Sequence, residues 1–327
     1  MGYDDPIATS LEMISASEND VGVVITTYNM AWCVSRAVAS CRGQTKTVKE
    51  IVIVDDCSTD ETVSVVNRLA EMEPRIKLLR LDRNCGHLAA LRVGVANVTA
   101  DWAVLLDADD ELLPDSVMVR VRACEKYREK SGEVAQLIYG DTLVDTGTET
   151  YEMKFHRLSG VVYAFMSKEM CLCQTSTIML GRQCFEKFPT SNNPWNTDDE
   201  IVIAISKWYP ILHSGAVVSI YHCHGSPTKM GNNARRKLSG VRTLVREHQA
   251  EIIRMHGVWG LMLWRLRVLR ALVRYGITVQ DGRSAAGHDG RRHLTSEWLG
   301  WTYGAALNFT DKVLTRILRL YFVLLYF

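Results

Sequence analysis

No stretch of this chain reaches the roughly 18 consecutive apolar residues that a membrane-crossing helix needs, although 47% of its 327 residues are hydrophobic. The first twenty, MGYDDPIATSLEMISASEND, hold neither a basic n-region nor an apolar h-region, so no secretory signal is expected. CxxC pairs are missing too. The nine cysteines are scattered at 33, 41, 57, 85, 124, 171, 173, 184 and 223. An odd, unpatterned set argues against a disulfide framework and for a reducing compartment, so a cytoplasmic protein is expected. Repeats and low-complexity tracts are absent. So is net charge: 38 Lys and Arg face 37 Asp and Glu, a balance of +1, which suggests no nucleic-acid partner.

That balance conceals an asymmetry. From Lys229 onward there are 17 basic and 6 acidic side chains, a net of +11, against 21 and 31 before it, a net of −10. An acidic front and a basic tail suggest two tasks.

The front alternates. Residues 21–26 (VGVVIT) and 50–55 (EIVIVD) are β-branched apolar runs, the pattern of strands buried on both faces. Strands are also expected at 77–81 and 102–106, with helices at 30–42, 60–73, 87–98 and 114–129. This βαβαβαβα order calls for a parallel sheet covered by helices, with ligands outside the carboxyl ends of the strands. Farther on, short strands are expected at 137–139, 142–144, 175–180 and 217–221, and a helix at 201–208.

The four carboxyl ends are polar: TTYN (26–29), DDCS (55–58), DRNCGH (82–87) and DADD (107–110). The last places Asp107, Asp109, Asp110 and Glu111 within five positions directly after an apolar run. Like charges so close repel, and a carboxylate removed from water needs compensation. Acids capping the next helix are one explanation; a bound cation is the other.

The motifs ITTYN (25–29), EIVIVDDCSTDET (50–62), NCGHLAALRVGVA (84–96), WAVLLDADDELLP (102–114), TDDE (197–200) and YHCHGS (221–226), in this order, resemble those of the inverting glycosyltransferases of family 2. The resemblance spans roughly residues 20–230. It implies the GT-A fold, a Rossmann-like, mostly parallel sheet flanked by helices. The expected division is a polar segment 1–20, a glycosyltransferase domain 21–230 (nucleotide-sugar half 21–131, acceptor half 132–230) and a basic helical extension 231–327.

Residue roles follow from the resemblance. Asp107-Ala108-Asp109 matches the DxD that holds Mn2+ or Mg2+ under the donor diphosphate, Asp109 directly and Asp107 through ribose or metal-bound water. Asp110 stands behind them, and Glu111 is read as the approach to the next helix. Asp56 matches the residue that reads the base, which favours uracil. Thr27, Tyr28 and Asn29 occupy the turn against the base, although Tyr28 could equally be a wedge between helix and sheet. Asn84, Gly86, His87 and Arg92 lie near the nucleotide; the usual ARN triplet is absent, with Leu91 preceding Arg92, and His87 could be a helix cap. Asp198-Asp199 stands where the family has Glu-Asp, which assigns the general base to Asp199, with Asp198 as the alternative register. His222-x-His224 suggests His224 as a further metal or diphosphate ligand and His222 in place of a basic residue. Lys229 is placed to reach the diphosphate, and Trp195 to wall the acceptor.

The tail contains VWGLMLWRLRVLRALVR (258–274) and KVLTRILRLYFVLLYF (312–327), joined across DGRSAAGHDGRRH (281–293). Basic amphipathic helices with aromatic residues suit an anionic membrane surface, here its inner face; packing on the domain or a homo-oligomer interface is the competing explanation. The partners implied are a nucleotide-sugar donor and a glycan or lipid-linked acceptor. A sugar-nucleotide nucleotidyltransferase would want a Gly-rich basic loop where TTYNMAW stands. An inactive membrane-associated scaffold would have no need of acids at 107, 109 and 199.

Overall fold

The computed structural model describes residues 20–160, 173–191 and 197–223, together with 243, 246–250, 252–254 and 257–262. The chain divides into units 1–275 and 276–327, and every described residue lies in the first. Trp195, His224, Lys229, the segment 312–327 and most of 258–274 therefore lie outside the described residues. Of the last stretch, 258–262 are helical, with Val258 and Trp259 exposed and Leu261 buried. Among the described residues no helix is long and apolar enough to cross a membrane.

Four βα units come first: β1 (Val21–Thr27), α1 (Val34–Arg42), β2 (Glu50–Asp55), α2 (Thr62–Met72), β3 (Ile76–Arg80), α3 (His87–Asn97), β4 (Trp102–Asp107) and, after the two-residue strand β5 (Glu111–Leu112), α4 (Ser116–Ser131). There follow β6 (Leu137–Asp145), β7 (Thr150–Met153), β8 (Ser159–Gly160), a 3-10 turn at Thr175–Thr177, β9 (Met179–Gly181), a second 3-10 turn at Arg182–Lys187, α5 (Thr197–Ser206) and β10 (Ile211–His222). The ten-stranded sheet runs β3-β2-β1-β4-β9-β6-β10-β5, with β7 on β6 and β8 on β10.

Burial explains the apolar runs. β1 is flanked on both edges by parallel partners, β2 and β4, and all seven of its residues are buried. A strand covered on both faces needs no polar alternation. The edge strand β3 shows a mixed pattern instead. The parallel order holds through the first four strands and again between β6 and β10, while β9 runs antiparallel to both β4 and β6. Helix α3 presses closely on the sheet at Gly94, where an added Cβ would meet Val24 Cγ1 and lie 3.2 Å from Val54 Cγ2.

The second half departs from the sequence reading in four places. The expected pieces 137–139 and 142–144 are one strand, β6. Gly140 does not break it; it admits the bulged β10, whose Ala216 carbonyl would lie 2.6 Å from a Cβ there. The expected strand 175–180 is a 3-10 turn followed by the short β9. The strand read at 217–221 begins at Ile211. Helix α5 starts at Thr197, so the acids 198–200 lie inside its first turn, where the helix dipole favours negative charge.

Gly94→Leu is expected to destabilise the fold by about 2–3 kcal/mol, although Leu is the better helix former, because overpacking outweighs propensity here. Urea denaturation measures this; an unchanged midpoint would mean that α3 does not press on β1 as described.

Candidate active site

The chain leaves β1 toward β2 on one side and returns to β4 on the other. This makes the β1/β4 boundary the switch point at which open α/β sheets bind ligands. Thr26 pairs in register with Asp107 across it. The Thr26 and Thr27 hydroxyl oxygens are buried there with no hydrogen-bond partner. Buried polar atoms are rarely left so, which points to a ligand that would engage them.

The turns around this edge lock one another. Asn29, at φ 55°, accepts the Thr59 N–H at 2.8 Å on its side-chain oxygen and donates its own N–H to Ser58 Oγ at 2.9 Å. The Asp56 carboxylate accepts the Cys85 and Gly86 N–H groups at 2.7 and 2.8 Å and so holds the loop leading into α3. Gly86 caps α3 at φ 88°, a conformation costly for residues with a Cβ. Tyr28 is 41% exposed, so it is not the helix–sheet wedge, and its ring is open to a base. Asn84 is exposed on the same loop. Arg92 faces elsewhere and donates to the Pro189 carbonyl at 3.3 Å.

The acids that follow β4 separate into distinct surroundings. Asp107 Oδ1 accepts His87 Nε2 at 2.7 Å, and the other ring nitrogen lies 3.3 Å from Thr197 Oγ1. His87 therefore spans from the DxD to the first turn of α5 and is more than a cap. Ala108 is buried. Asp109 is partly exposed, and its carbonyl accepts Arg36 Nη2 at 2.8 Å. Asp110 is buried and accepts the Ser176 hydroxyl at 2.6 Å, while Ser176 Oγ accepts the Asp107 N–H at 3.1 Å. Glu111 is not the approach to a helix. It lies in β5, 3.2 Å from Arg36 Nε and 2.7 Å from His222 Nε2. His222 is thereby held between Glu111 and Asp145, the latter at 3.0 Å.

Asp198 reaches into this group from α5 and accepts the Thr175 hydroxyl at 3.2 Å. Burial, and then the charge of Asp107, pushes its carboxyl up to about 6, against the pull of His87. Burial favours neutral His87, but Asp107, with Asp198 and Asp109 beyond it, outweighs this and raises the imidazole above its ordinary value. The edge is thus a region of negative potential with one imidazole inside it. Asp199, the next residue, is buried in the same helical turn.

Residues 22–168 match the family model described as Glycosyl transferase family 2. The matched segment, less than half of the chain, is similar to glycosyl transferase family 2 domains. The succinoglycan biosynthesis protein ExoO of Rhizobium meliloti (strain 1021) is 38% identical over 96 residues, 29% of this chain and 27% of that protein. An uncharacterized glycosyltransferase of Nostoc sp. is 28% identical over 220 residues, 64% of this chain and 66% of that one. The matches to these two relatives thus span from about a quarter to about two thirds of their length. Among solved structures, the mannosyltransferase PcManGT from Pyrobaculum calidifontis, in complex with GDP-Man and Mn2+, aligns with a TM-score of 0.50 at 19% identity, over 90% of this chain and 82% of that one. This places the mixed sheet in the GT-A fold.

Three contributors went unread in the sequence, Arg36, Thr175 and Ser176, and Thr26 was read only as part of a polar strand end. The triplet Thr175-Ser176-Thr177 held a usable signal, because three adjacent hydroxyls in a buried strand would all need partners. Arg36 carried none beyond its place on α1.

A carboxyl with a folded pKa above its unfolded value favours the fold when protonated. For Asp198 that contribution is complete below about 4 and lost as pH rises through about 6. In EDTA, Asp198→Asn should therefore be more stable than the unsubstituted protein at pH 7, by roughly 1–3 kcal/mol, with the gap closing toward pH 4. Thermal denaturation at both pH values tests this, and a gap independent of pH would refute it.

Proposed function

We propose that this protein is an inverting, hexosyltransferase-type glycosyltransferase that moves a sugar from a nucleotide-sugar donor, a UDP-sugar favoured, to a hydroxyl acceptor. The observation that carries the reading is the convergence of Asp107, His87 and Asp198, from three separate elements, beside the unpartnered Thr26 and Thr27 hydroxyls at the switch point.

The donor set fits a hard divalent cation. Asp109 and Asp107 offer carboxylate oxygens in a region of excess negative potential, the setting in which Mn2+ or Mg2+ is held. When bound, such an ion would stabilise the charge that develops on the departing diphosphate. Asp56, with Asn84 and Gly86 on the loop it holds, forms the base and ribose side, and Tyr28 supplies an open ring for stacking.

The pair Asp198–Asp199 supplies the general base. The carboxylate takes the proton of the acceptor hydroxyl as its oxygen attacks the anomeric carbon. The bond from that carbon to the diphosphate oxygen breaks on the opposite face, and the nucleoside diphosphate leaves. Asp198 is the member aimed at the donor edge, and a pKa near 6 suits a base working at neutral pH. The family resemblance assigns the role to Asp199. The name of the ExoO relative supports an acceptor in polysaccharide biosynthesis, glycan or lipid-linked. Trp195, His224 and Lys229 complete the proposed acceptor and diphosphate sides. The basic tail is proposed to hold the enzyme at the inner membrane surface or in a homo-oligomer.

A donor panel assayed with Mn2+, Mg2+ or EDTA should show nucleoside diphosphate release only with a cation, and Asp109→Asn should abolish it. Cation-independent release would remove the Asp109 assignment. Loss of the base should lower transfer by roughly 10²–10⁴-fold with donor affinity retained. Asp198→Asn and Asp199→Asn, assayed side by side, identify which carboxylate it is, and full turnover in both would place the base elsewhere.

A further inference from the structure

On the side of α5 away from the donor edge, Glu200, Glu247 and His248 bring one ligand atom each to within 4.8 Å of one another. Glu200 and His248 are buried, at 2% and 7% exposure, whereas Glu247 is exposed. His248 Nε2 lies 3.3 Å from Glu200 Oε1, and a carboxylate oxygen of Glu247 comes within 4.8 Å of both. Two carboxylates this close repel, and a cation between them would relieve that repulsion. His248 Nδ1 is itself buried with no partner, so the protein's own hydrogen bonding leaves this imidazole incompletely satisfied. A cavity of about 440 Å³, lined by Thr190, Ser191, Thr243, Arg246 and Glu247, opens beside the cluster, and the Ser191 hydroxyl oxygen in its wall is also buried without a partner.

The donor set discriminates among ions. One imidazole nitrogen with two carboxylate oxygens suits a borderline ion such as Zn2+ better than Mg2+ or Ca2+, which prefer oxygen alone. At zinc bond lengths of about 2.0–2.1 Å, tetrahedral ligands stand about 3.3 Å apart, the separation found between His248 and Glu200. Three protein ligands leave a fourth position for water from the cavity.

We propose that Glu200, Glu247 and His248 form a Zn2+ site, distinct from the donor-site cation, that fastens the helical segment 246–250 to the helix bearing Asp198 and Asp199. The site links the region that follows the glycosyltransferase domain to the turn that carries the general base. It does not depend on the proposed sugar transfer.

The test uses the full chain carrying Asp109→Asn, which removes the donor-site ion from the count. After chelation, incubation with ZnCl2 and desalting, this protein should retain one equivalent of zinc. Adding Glu247→Gln, an exposed position that folding tolerates, should weaken retention at least tenfold, and His248→Gln should abolish it. Co2+ in place of Zn2+ should give visible bands of nitrogen and oxygen ligation without the near-ultraviolet charge transfer of a thiolate. No retained zinc, a thiolate spectrum, or retention unaffected by Glu247→Gln would each overturn the proposal. If His248→Gln fails to fold, Glu247→Gln decides alone. Donor turnover of the protein without these substitutions reports on the proposed function separately.

Discussion

The contact between His87 and Asp107, 2.7 Å across the end of the sheet, is the interaction around which the site is organised. It joins α3 to β4, and the far ring nitrogen extends the link to α5 through Thr197. Without an imidazole there, Asp107 and Asp198 would face each other in a partly buried space with nothing of opposite sign between them. With it, the carboxylates are held close in a region of negative potential, the setting that the proposed donor-site cation would need.

That contact depends on a quieter constraint. β1 is paired on both edges by parallel strands, so the chain must leave it on one side and return on the other. The reversal opens the crevice, and the 3-10 turn at 175–177 floors it. Ser176 links the Asp107 backbone to the Asp110 carboxylate, and Arg120, wholly buried in α4, donates to the Thr177 carbonyl at 2.9 Å. Burial lowers that guanidinium to about 9, a cost offset by bonds that fix the turn. Arg36 and His222 brace Glu111 from two directions, so the segment after the DxD is held as firmly as the segment before it.

The first four strands and their helices were legible because each depends on its own residues. Apolar runs such as VGVVIT are needed wherever both faces are covered, and the polar residues begin where the strands end. The second half was less legible for equally physical reasons. Gly140 reads as a break in isolation, yet the strand continues through it because a bulge on β10 needs the space. Thr175–Leu180 reads as a strand, but its hydroxyls are consumed by a turn that supports acids 66 positions earlier. Glu111 reads as a helix approach because its partners, Arg36 and His222, are remote in sequence.

By itself the sequence determined the α/β class and which strand ends carry acids, since periodicity and residue chemistry are local properties. Tertiary structure decided how those acids are used. It set Asp198 against Asp107, gave His87 a carboxylate to hold, turned Arg92 toward the Pro189 carbonyl and committed His222 to bracing the sheet. It also brought Glu200 together with Glu247 and His248 from beyond the domain. Each of these depends on charges and hydrogen-bonding groups meeting across separations of roughly 20 to 110 residues, which no window of sequence contains.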